Sequence, residues 1–141
     1  MPKNMPGLFL LPLLMLACGC GDALDCAMSK SNHEASIGNL GSIRSALSIY
    51  YGDMQGQYPT DLMTLTKDRK YVTSIPDVHT ICINGTVHHS RSGKLTYFPS
   101  PAAADDQGGW GYVNEPTSQD FGAVFINCTH TDYMSKRFSD Y

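Results

Sequence analysis

One apolar stripe constrains this chain more than any other feature. Ile37, Leu40, Ile43, Leu47 and Tyr50 recur at spacings of three or four, which sets them along one side of a helix. Ser36, Asn39, Ser42, Arg44 and Ser45 fall largely between them, and Ala35 and Ala46 let a neighbour approach closely. The spacing predicts a helix over residues 32–51, closed by Gly52 and Asp53. Gly38 and Gly41 each weaken it by about 1 kcal/mol relative to Ala, so tertiary packing must hold it. A helix with one apolar side needs a second layer to bury it.

The sequence that follows supplies that layer. Tyr58-Pro59 must be extended or turning. Thr60 or Asp61 caps a short helix whose Leu62 and Leu65 face the core. Residues 71–76 read as a short extended piece. Residues 77–93 read as a polar loop with three histidines and one strand over 80–83, and 94–98 as a strand. Residues 100–109 read as a loop. Trp110 and Tyr112 share one face of the next strand and Val113 takes the other. Residues 122–127 form a β-branched and aromatic strand that closes an antiparallel hairpin around a polar connection, 115–120. The tail, 129–141, reads as polar and irregular. The fold class expected is α+β: one N-terminal amphipathic helix on a small antiparallel sheet with long loops. Leu40, Ile43, Leu47 and Tyr50 are expected against Trp110, Tyr112 and the 122–127 strand.

The first twenty residues differ from the rest. Lys3 gives a short positive region, and 7–17 (GLFLLPLLMLA) is an apolar run of 11 residues. A membrane-spanning helix needs about 20 apolar residues, and Pro12 interrupts this shorter run. Length and position fit a secretory signal instead. The run ends at Ala17-Cys18-Gly19-Cys20, similar to a bacterial lipoprotein signal in which Cys18 or Cys20 is acylated. Ordinary signal cleavage and an uncleaved short anchor are the alternatives. The expected organisation is a signal segment, 1–20, a tether, 21–31, and one globular domain, 32–141. The protein is expected to be exported and membrane-anchored on the periplasmic or outer surface of a bacterial envelope. A net charge of −3 with 16% charged residues implies no basic face, so nucleic acid is not an expected partner.

Chemistry-bearing residues are sparse. Cys128, His130 and Asp132 alternate, and an extended segment would put them on one side, as a metal site or a thiol beside a base. Three near neighbours on one strand cannot enclose a tetrahedral metal, and no paired ligand spacing supports the idea. His79, His88 and His89 read as solvated loop residues, and Trp110 and the tyrosines as core. No phosphate loop or nucleophile elbow occurs. Beyond the signal region, Cys26, Cys82 and Cys128 allow one bridge in an oxidising compartment, and the sequence does not choose the pair.

Residues 39–53 (NLGSIRSALSIYYGD) followed by 56–60 (GQYPT) resemble the C-terminal half of a type IV pilin or type II secretion pseudopilin helix and the turn behind it. Residues 108–112 (GGWGY) and 125–128 (FINC) resemble the hairpin that closes the pilin head. The resemblance covers roughly residues 32–130. It implies a non-enzymatic, envelope-associated subunit whose partners are other pilus or secretion-system proteins. It also implies a Cys82–Cys128 disulfide pinning the C-terminal loops. No cofactor is expected, calcium on Asp105, Asp106, Asp120 and Asp132 being the weak exception that pseudopilins suggest. The family's leader, its Phe-Thr-Leu-Ile-Glu start and its long apolar stretch have no counterpart here. The expectation is therefore a pilin head on a lipoprotein-type anchor that forms no filament by itself. The alternative is an anchored lipoprotein that uses the head as a ligand- or metal-binding module.

Overall fold

A computed structural model describes the backbone of residues 21–141 except 81, 84, 85 and 88, with side chains described outside 21–27, 29 and 81–88. The main element is a helix, α1, Gly21–Asp53, of 33 residues. It begins eleven residues earlier than the apolar stripe predicts, so the expected tether 21–31 is helical. Ala23, Leu24, Ala27, Met28 and Lys30 are good helix formers, and no proline interrupts them. The helix is also not at the N-terminus of the chain, which corrects that part of the expectation. The chain leaves it through Gln55 and Gly56, both in the left-handed region (φ 55° and 88°).

A kinked 3₁₀ segment follows, Leu62–Arg69, broken at Lys67 and Asp68, and its N-cap Asp61 accepts a hydrogen bond from the Met63 N–H at 2.8 Å. Leu62 and Leu65 are its buried residues, as the sequence indicates. Strands β1, Cys82–Ile83, and β2, Thr86–Val87, pair as a small antiparallel ribbon. The larger sheet has β3, Leu95–Phe98, β4, Trp110–Val113, and β5, Val124–Ile126, in the order β3-β4-β5. The fold is α+β. The sheet is mixed, not antiparallel: β4 and β5 form the expected antiparallel hairpin, but β3 runs parallel to β4. The 99–109 loop carries the chain back from the end of β3 to the start of β4, and that return makes the pair parallel.

The core lies between α1 and one face of this sheet. Leu40, Ile43, Ala46 and Leu47 are buried with Trp110, Tyr112, Val124, Ile126, Leu62 and Leu65, while Ile37 and Tyr50 pack at its margins. Two buried polar tips find partners: the Trp110 Nε1–H donates to Pro76 O at 2.6 Å and the Tyr112 hydroxyl to Pro59 O at 2.5 Å. Val113 sits on the opposite face with Phe98 and Phe125. Gly111 is needed there, because a Cβ at this position would meet the Phe125 ring at 2.2 Å.

The tail is not loose. A 3₁₀ turn, Phe138–Asp140, inserts a fully buried Phe138 into the main core. Arg44 of α1 donates to Val124 O at 3.0 Å and also to the backbone oxygen of Tyr141, joining helix, sheet edge and tail.

Candidate functional site

The register of the sheet gathers three segments at one end. Leu95, Trp110 and Ile126 are register partners, so the entry to β3, the entry to β4 and the exit of β5 are adjacent. His89 lies on the approach to β3, Asp106 on the approach to β4, and Cys128 and His130 just past β5. One ligand atom from each of these four residues lies within 4.8 Å of the other three.

The contacts within the cluster are close. Asp106 Oδ1 is 3.2 Å from His89 Nε2 and 3.2 Å from His130 Nδ1. Cys128 Sγ is 3.5 Å from His130 Nδ1. The two imidazoles meet edge to face, with centroids 5.5 Å apart. Cys128 is fully buried and the other three are half-buried, so the cluster has one dry side and one wet side. Burial would raise the Asp106 carboxyl, but the Thr129 N–H at 2.8 Å and the two histidines hold it below its ordinary value. Burial, with the Asp106 carboxylate adding to it, pushes the Cys128 thiol up to about 12. A thiol that is neutral and buried is a poor nucleophile. The donor set, one sulfur, two imidazole nitrogens and one carboxylate oxygen, suits a borderline metal ion and not calcium.

The loops that carry these ligands are fixed to the sheet. Asn127 Nδ2 donates to Asp105 Oδ1 at 2.7 Å, and the Asp105 N–H donates back to Asn127 Oδ1 at 3.1 Å. The Gly108 N–H donates to Asn127 O at 2.9 Å. Gly108 has φ 73°, and a Cβ there would sit 3.0 Å from the Cβ of His89. The glycine is what allows the two loops to touch.

Asp132 does not join Cys128 and His130. It turns the other way, onto α1, where its Oδ2 is 3.5 Å from His33 Nε2 and accepts from the Tyr141 hydroxyl. Its Oδ1 accepts the N–H groups of Met134 at 2.7 Å and Lys136 at 2.9 Å. His33 is 1% exposed, ringed edge-on by Tyr133, Phe138 and Tyr141. Burial lowers its pKa below 6.5, against the opposing pull of Asp132 and Glu34.

The other expected sites fall as follows. Asp105 serves the Asn127 contact, and Asp120 is exposed in the hairpin connection. With Asp106 in the histidine cluster and Asp132 on α1, the four acids do not share a site. Among the described residues Cys128 has no disulfide partner, and the side chain of Cys82, its expected partner, lies outside them. Cys18, Cys20 and His88 lie outside them as well, as does the side chain of Cys26. Trp110 and Tyr112 are fully buried, which removes them from any binding surface. The sequence reading missed His89 and Asp106 as partners of Cys128, and missed His33 altogether. Only the Cys128-x-His130 spacing was a usable signal.

No family model, curated protein or solved structure matches this chain. No helix among the described residues is long and apolar enough to cross a membrane.

Proposed function

We propose that this protein is a non-enzymatic, envelope-associated pilin-like subunit that makes protein–protein contacts in or beside a type IV pilus or type II secretion apparatus. The observation that carries the reading is α1. Its C-terminal turns bury one stripe on the sheet, and it continues N-terminally to Gly21, about 16 Å beyond Asn32 at 1.5 Å per residue. Along it, Met28 (62% exposed) and Ile49 (59% exposed) are large apolar side chains that the head leaves open. An acylated Cys18 or Cys20 would hold the helix at the membrane surface. Placing a photocrosslinker at Met28 or Ile49 and irradiating native envelopes tests the reading. The expected products join this chain to pilus or secretion-system subunits. Adducts absent from both positions, with the protein present and folded, would contradict it.

A further inference from the structure

The short contacts in the cluster at the sheet end are hydrogen-bond distances, and they also match the spacing of ligand atoms around a metal ion. An ion bound tetrahedrally by N, O and S ligands at about 2.0–2.3 Å separates those ligand atoms by about 3.3–3.6 Å. The contacts here are 3.2 Å from Asp106 Oδ1 to His89 Nε2, 3.2 Å to His130 Nδ1, and 3.5 Å from His130 Nδ1 to Cys128 Sγ. The remaining separations are no longer than 4.8 Å, and His89, Asp106 and His130 are half-buried.

We propose that His89, Asp106, Cys128 and His130 form a four-ligand site for a zinc-class divalent ion, which clamps the segment before β3, the 99–109 loop and the C-terminal tail to one end of the sheet. Four protein ligands fill a tetrahedral ion, so the site is structural and leaves no open position for a reacting water. Charge balances: the carboxylate and a thiolate neutralise the dication, and both imidazoles bind neutral. On binding, the Cys128 S–H bond breaks, a sulfur–metal bond forms, and the proton leaves to solvent. Each imidazole binds through the nitrogen that faces Asp106 and keeps its single ring proton on the other nitrogen. The wet side, formed by His130 and Asp106, gives the ion its way in. Thr129, whose N–H donates to Asp106 Oδ1 at 2.8 Å, and the Asp105–Asn127 pair orient the ligands from outside.

The test is a titration of the full chain, freed of metal with a chelator, using Co(II) alone and then Zn(II). The expected result is one Co(II) per chain with tetrahedral d–d bands and a thiolate-to-cobalt charge-transfer band, all displaced by Zn(II). Cys128→Ser should lose the charge-transfer band. Replacing Cys18, Cys20, Cys26 and Cys82 together by Ser should leave it in place. Because Cys128 is buried and its variant is at risk of misfolding, His89→Ala and His130→Ala are read in parallel. Each should weaken binding by more than the roughly 10–100-fold lost when an outer-shell partner is removed. A charge-transfer band that survives Cys128→Ser, or affinity unchanged in both histidine variants, would overturn the site. So would the absence of stoichiometric Co(II) binding by the folded chain.

Discussion

His33 Nε2 lies 3.5 Å from Asp132 Oδ2, and this contact fixes the C-terminal tail to the long helix. Both side chains are buried, and His33 Nδ1 has no hydrogen-bond partner among the described residues. The groups facing His33 are Asp132, Glu34, Tyr133 and Tyr141, and burial outweighs the two carboxylates in setting its proton affinity.

A pH dependence follows. His33 has a lowered folded pKa, so it is neutral in the fold, while in the unfolded chain it takes up a proton near 6.5. The unfolded state therefore binds more protons at acid pH. The stability tied to a neutral His33 is present above about 6.5 and is lost as the pH falls below it. Urea midpoints should drop between neutral and mildly acid pH, and His33→Gln should flatten that slope. An identical slope in the variant would show that His33 is not the titrating group.

Phe138 tests whether the tail is structural. It is fully buried among core residues, so Phe138→Ala should cost about 3–5 kcal/mol in chemical unfolding. A cost below about 1 kcal/mol would mean that the tail detaches without disturbing the core.

Two kinds of helix substitution should move stability in opposite directions. Leu47 is 3% exposed, and Leu47→Ala should cost about 2–5 kcal/mol. Gly38 and Gly41 lie on the open side of α1, where an added Cβ meets nothing within 4 Å. Gly38→Ala and Gly41→Ala should each stabilise the protein by about 0.5–1 kcal/mol. Destabilisation by either alanine would mean that another surface packs on this side.

Strand parity and helix spacing made the main core legible. Trp110 and Tyr112 separate from Val113 as alternation requires, and Leu40, Ile43 and Leu47 are buried as their spacing indicates. The direction of β3 was not legible, because it depends on the path of the 99–109 loop and not on the strand's composition. Phe138 was hidden by its neighbours Lys136, Arg137 and Ser139, which make the tail look solvated. Residues 21–31 lack an apolar stripe, so their helix was readable only through residue propensity. The histidine cluster is non-local: the sheet register brings His89 and Asp106 to Cys128, and no spacing rule in one dimension encodes that. Asp132 illustrates the reverse, since alternation groups it with His130 while the chain turns it onto α1.

That this head works at the envelope on an N-terminal lipid anchor is tested most directly by the intact mass of the mature protein recovered from membranes. The expected mature chain begins at Cys18 or Cys20 and is heavier than its peptide mass by the acyl chains of a lipoprotein. A mature chain that starts elsewhere and carries no lipid would contradict it.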